Sequence, residues 1–194
     1  MPSFKNGDVE IAYLDEGAGD PIVLVHGFAS NKQINWVNPG WVSTLMRDNR
    51  RVLALDNRGH GQSTKLYNDD DYHTDRMASD TAALIAHLGL ERADVMGYSL
   101  GARISAVIAA RHPAQVRAVI LGGVGIKLVT VAGLHHDVAR SLELPSIDDV
   151  THPVGKAFRL FAEQTKSDLK ALAACLRGFQ IGRASCRERV CSTV

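Results

Sequence analysis

The feature that most constrains the fold is an alternation of two patterns along the chain. Five short apolar runs, Val9 to Leu14, Ile22 to Val25, Val52 to Leu55, Asp94 to Met96 and Val116 to Leu121, are separated by stretches with helical spacing. Each run closes on a turn signal: Glu16-Gly17, His26-Gly27, Asp56-Asn57, Gly97 and Gly122-Gly123. Runs of this length suit strands buried on both faces, and buried faces need helices to cover them. Between the third and fourth runs, Met77, Thr81, Leu84, Ile85 and Leu88 recur on one helical face, with Asp75 near the start and Gly89 as a stop. After Ser99, the residues Leu100, Ile104, Val107 and Ile108 keep the same period among small residues up to Pro113, which suits a helix pressed closely against strands. The expected fold class is α/β, a mostly parallel sheet with flanking helices.

From about Lys127 the strand signals stop, and the chain reads as helices, including Val154 to Gln164 and Asp168 to Arg177. The expected organisation is therefore a core over residues 1–126 and a helical cap segment over 127–180, with residues 181–194 standing apart. The 194 residues carry 22 Lys and Arg against 21 Asp and Glu, and no like-charge run is longer than Asp69-Asp70-Asp71. That balance lacks the basic excess that phosphate neutralisation requires, so no nucleic-acid partner is expected. The N-terminus has no signal-peptide core, and the longest apolar stretch, Ala118 to Ile126, is far too short to span a bilayer. The expectation is a cytoplasmic chain without a membrane partner.

The chemistry concentrates in Gly97-Tyr98-Ser99-Leu100-Gly101, a G-x-S-x-G placed between a strand and a helix. A serine on so sharp a turn sits in a strained backbone conformation, and the positions flanking it must lack a Cβ for the turn to close. The helix start then offers free N–H groups to an oxygen that becomes negative during acyl transfer. Ser99 is the candidate nucleophile, with Gly97 and Gly101 as supporting residues. His26-Gly27-Phe28-Ala29 follows the second run, where the Phe28 N–H would join the Leu100 N–H as an oxyanion donor. His26 and Gly27 are expected to hold that turn. Asp56, Arg58, His60 and Ser63, in Asp56-Asn57-Arg58-Gly59-His60-Gly61-Gln62-Ser63, read as residues that fix a tight loop at the same sheet edge. Phe28, Trp36 and Trp41 hint at an apolar acyl group.

With H-G-F, D-N-R-G-H-G-x-S and G-Y-S-L-G after successive strands, residues 9–126 resemble the α/β-hydrolase superfamily, and the helical region to about 180 resembles its cap. The resemblance implies an eight-stranded sheet, a Ser–acid–His triad and a cap over the pocket. Haloalkane dehalogenases and epoxide hydrolases carry Asp at the elbow, so Ser99 argues against both. Esterases, lactonases of the oxoadipate enol-lactonase type, carbon–carbon bond hydrolases and cofactor-free haloperoxidase-like perhydrolases remain. The implied function is a serine hydrolase acting on a small carboxylic ester, lactone or related acyl substrate through an acyl-enzyme. The alternative from another class is a non-catalytic binding protein that holds a small ligand in the same capped pocket.

The triad order of this fold, Ser then acid then His, finds no completion in the chain. No Asp or Glu lies between Ser99 and His135-His136, so His112, His135 and His136 drop out. His152 has Asp137, Glu143, Asp148 and Asp149 before it, yet it adjoins Pro153 at a helix start and reads as a cap histidine. Adjacent His135 and His136 diverge and lack further ligands, so neither metal nor cofactor is expected. The resemblance puts acid and base after strands seven and eight, which leaves this sheet incomplete at its C-terminal strands and the chain nearly inactive, with an apolar strand edge exposed. Residues from about Ile181 to Val190 lose all apolar period and resemble translated sequencing-adapter read-through, so a non-native tail is expected there. Setting that tail aside removes Cys186 and Cys191 and leaves Cys175 alone, which fits a reducing compartment.

Overall fold

The computed structural model describes residues 1–125 and 134–179. The expected tail at 181–194, with Cys186 and Cys191, and the expected boundary at 126–127 lie outside the described residues, as does the His135 side chain.

Among the described residues, six strands form one sheet in the order β1-β2-β4-β3-β5-β6. They are β1 (Ser3–Asn6), β2 (Val9–Glu16), β3 (Asp20–Val25), β4 (Arg50–Leu55), β5 (Ala93–Tyr98) and β6 (Val116–Gly122). The first two pair as a hairpin and β2 joins β4 antiparallel, while β4, β3, β5 and β6 run parallel. The five runs expected from sequence are all strands, extended by a residue or more at their ends. The added hairpin strand β1 contributes only Phe4 to the core.

Strand alternation decides which side each residue serves. On β3 and β4, Val23, Val25, Leu53 and Leu55 face one core, while Ile22, Leu24, Val52 and Ala54 face the other. The first core is closed by α2 (Thr74–His87) and α3 (Leu100–Arg111) through Met77, Leu84, Ile85, Ile104 and Ile108. The second is closed by α1 (Trp41–Arg47) and the turn before it, through Val42 and Trp36. Burial on both faces explains why these strands read as unbroken apolar runs.

Three further helices follow: α4 (Leu134–Glu143), α5 (Pro153–Gln164) and α6 (Leu169–Gly178). His152 caps α5, its Nδ1 accepting the Gly155 N–H at 3.0 Å, and Asp168 caps α6 by accepting the Ala171 N–H at 3.0 Å. Ala139, Leu142, Ala162, Leu172 and Ala173 form a small core shared with Ala29. The far side of α6 is different. Ala174 and Cys175 belong to the main core with Phe179 just beyond, and Arg177 pairs with Asp69 at 2.9 Å. The helical segment is thus packed into the sheet domain through its last helix. At the other margin, β6 leaves Val119 39% and Ile120 49% exposed. Among the described residues, no helix is long and apolar enough to cross a membrane.

Candidate active site

Ser99 sits between the last residue of β5 and the first of α3, at φ +52° and ψ −110°. A non-glycine residue at that φ is strained, and its surroundings must over-determine it. They do so at three points. A Cβ on Gly97 would strike the Gly101 carbonyl and the Ser105 Oγ, and one on Gly101 would strike the Val25 carbonyl. The Ser99 N–H donates to Gly122 O at 2.9 Å, tying the elbow to the end of β6. Leu100 opens α3, so its N–H lacks an intrahelical acceptor; the first bond of the helix runs from Arg103 N–H to Ser99 O.

The loop after β3 is held from below. His26 is fully buried, its Nε2 accepting the Asn57 N–H at 3.0 Å and its Nδ1 meeting Gly27 O at 2.8 Å. Because a carbonyl only accepts, Nδ1 carries the proton and the ring is neutral. Burial lowers its pKa from 6.5, against the opposing pull of Asp56. Both ring nitrogens are committed to backbone, so His26 bolts two loops together and has no proton to exchange with Ser99. The Gly27 N–H donates to Asn35 Oδ1 at 3.0 Å.

The second loop is a set of satisfied buried polar groups. Asp56 accepts from Lys32 N at 2.8 Å, Lys32 Nζ at 2.6 Å and Gln62 N at 2.8 Å. Burial pushes its carboxyl up, but His26, the two N–H donors and Lys32 outweigh this and hold it below the usual range. Arg58 forms a two-pronged bond to Asp80 at 2.7 and 2.8 Å, and Ser63 Oγ donates to Asp56 O at 2.7 Å. His60 is the exception. Its Nδ1 meets Arg58 O at 3.0 Å, but its buried Nε2 has no partner among the described residues. Burial, then the neighbouring His26, pushes its pKa down to about 3.

Ser99, Gly27 and Phe28 open onto one cavity of about 460 Å³, with Phe158 and Phe161 of α5 on its far wall. Phe28 stands edge to face against Phe158 at 5.6 Å and against His60 at 5.8 Å. Thr165 Oγ1 lies 3.0 Å from Ala29 O, so the end of α5 is fastened to the loop that carries Phe28. Of the residues that sequence reasoning assigned to the site, Ser99, Gly27 and Phe28 line the cavity, while Leu100, Gly97, Gly101 and His26 lie in the two turns that carry them. That reasoning missed Lys32, Asn57 and the two α5 phenylalanines, which act across large sequence separations. The aromatic hint divides: Trp36 is a core residue at 1% exposure and Trp41 packs against it at 6.4 Å, leaving only Phe28 at the cavity.

Residues 20–144 match the alpha/beta hydrolase fold family. The chain belongs to that family. Among its curated relatives, it is 38% identical over 127 residues to a non-heme haloperoxidase of Rhodococcus erythropolis, covering 64% of this chain and 44% of that protein. It is 30% identical over 180 residues to a 2-hydroxy-6-oxo-2,4-heptadienoate hydrolase of Pseudomonas putida, covering 92% of this chain and 64% of the relative. A hydrolase structure from Pseudomonas aeruginosa superposes with a TM-score of 0.71 at 19% identity, over 91% of this chain and 71% of that one, a likeness of fold. The chain thus spans roughly half to two-thirds of its curated relatives' length.

Proposed function

We propose that this α/β-hydrolase chain carries the nucleophile and oxyanion hole of a serine hydrolase acting on a small carboxylic ester, lactone or related acyl substrate. The observation that carries this reading is the backbone of Ser99: a serine held at φ +52° between two glycines that no other residue can replace, at the mouth of a cavity. Such strain persists only where the surroundings enforce it, and it is found at functional positions such as a nucleophile on a strand-to-helix turn. Ser99 Oγ attacks the carbonyl carbon, and the Phe28 and Leu100 N–H groups receive the developing oxyanion. Collapse of the adduct breaks the bond to the leaving alcohol, which takes up the proton removed from Ser99, and water then attacks the acyl-serine and releases the carboxylic acid.

The proton of Ser99 requires a base outside this set, since His26 is committed to backbone and His152 caps α5. We place the acid and base in the part of the relatives that this chain does not match, and turnover by Ser99 depends on them. Reaction with a fluorophosphonate probe tests the assignment in a version extended through those residues. Labelling that disappears in Ser99→Ala supports it, and equal labelling of both proteins refutes it. A second reading, a cofactor-free perhydrolase, draws on the haloperoxidase relative; it predicts peracid formation from acetate and hydrogen peroxide by the same serine.

A further inference from the structure

Resting on the reading of Ser99 as nucleophile, we propose that the adjoining pocket selects an uncharged apolar acyl group and rejects one that ends in a carboxylate. The apolar wall is built from three rings, Phe28 of the loop after β3 and Phe158 and Phe161 of α5. Phe28 and Phe158 meet edge to face, an arrangement that fixes each ring by the other. Ser30, Asn35 and Tyr98 are the polar side chains that line the pocket beside Ser99, all of them neutral. Asn35 Oδ1 is already occupied by the Gly27 N–H, which leaves its amide NH2 and the Ser30 hydroxyl as neutral donors.

Among the described residues that line the cavity there is no Lys, Arg or His. Two cations that stand close in sequence to its walls are bound to other partners. Lys32, two residues after Ser30, is 3% exposed and bound to Asp56 at 2.6 Å. Arg159, directly after Phe158, donates to the carbonyls of Ser141, Leu142 and Leu144 and to Glu163. Neutral donors satisfy a ketone, amide or hydroxyl on the acyl chain. A carboxylate placed among phenylalanine rings loses its hydration and gains no counter-charge. At about 460 Å³ the cavity falls in the lower half of the size range of small-molecule sites, so the group it takes is short.

The test uses two trifluoromethyl ketones of equal length, one ending in a methyl group and one in a carboxylate, titrated into the full 194-residue chain and followed by fluorine NMR. Selectivity is read in Ser99→Ala, where only non-covalent binding remains. The methyl ketone is expected to bind at least about tenfold more tightly there, and Phe161→Arg, checked for unchanged circular dichroism, is expected to shrink or invert the ratio. Equal affinity, tighter binding of the carboxylate ketone, or no binding of either at millimolar concentration overturns the proposal; an unchanged ratio in Phe161→Arg overturns the role of the α5 wall. The nucleophile reading is tested separately by the fluorophosphonate labelling of the extended version. Equal labelling there with and without Ser99, beside intact selectivity in Ser99→Ala, removes that reading and leaves the pocket's selectivity standing.

Discussion

Gly101, in the first turn of α3, lies so close to the carbonyl of Val25, the last residue of β3, that no Cβ fits between them. This contact brings the start of α3 beside the loop that carries Phe28, and so brings the two candidate oxyanion donors together. Gly101→Ala must push helix and strand apart, because the obstacle is backbone and not a movable side chain. The expected cost is about 3 kcal/mol, at the upper end of overpacking substitutions. Urea unfolding measures it, and a midpoint unchanged from the parent would show that the elbow tolerates the shift.

Ser99→Gly is expected to raise stability while removing the reactive hydroxyl. The φ of +52° is open to glycine and costs other residues about 1–3 kcal/mol, whereas glycine's extra unfolded-state entropy returns about 0.5–1 kcal/mol of that. The net gain is about 1 kcal/mol by urea unfolding. Ser99→Ala keeps a Cβ at the strained position and should show no such gain. Equal stability of the two variants would mean that the elbow stores no backbone strain.

How much of this was legible in the sequence follows from the range of the interactions. The elbow and the strands are local: apolar runs, glycines and a helical period name them, and a Cβ at Gly97 or Gly101 would meet neighbouring backbone. Strand β1 escaped because Phe4 is its one core residue, which makes no run. Phe158 and Phe161 stand on the apolar side of α5, but helical period cannot say that this side faces a loop after β3, far earlier in the chain. Nothing in the sequence around Lys32 marks it as buried; its burial depends on Asp56, which reaches it only through the pairing of β3 with β4.

That pair gives the third prediction. Lys32→Met removes a buried cation and leaves the Asp56 carboxylate with its two backbone donors and no counter-charge. The expected loss is about 3 kcal/mol at neutral pH. Adding Asp56→Asn should recover part of it, because the uncompensated charge then disappears. A double-mutant cycle by urea unfolding measures the coupling; additive losses would show that the two residues contribute independently.

The two buried histidines set the response to acid. The pKa of His60 is pushed down from 6.5 to about 3 by burial and by His26, and that of His26 is lowered by burial as well. Below pH 6.5 the unfolded chain binds a proton at His60 that the folded chain does not, so stability falls with falling pH until about pH 3. By about pH 5 the His60 contribution alone amounts to about 2 kcal/mol, and His26 adds to it with the same sign. Asp56, whose folded pKa is lowered, contributes stability that is lost only on further acidification, below the ordinary carboxylate value of 3.8. Urea midpoints at about pH 7.5 and about pH 5 therefore report the histidines. His60→Phe keeps an aromatic ring against Phe28 and removes the orphaned Nε2; it should flatten the slope by the His60 share. A midpoint equal at both pH values in the parent chain would sink the assignment of these rings as buried and neutral.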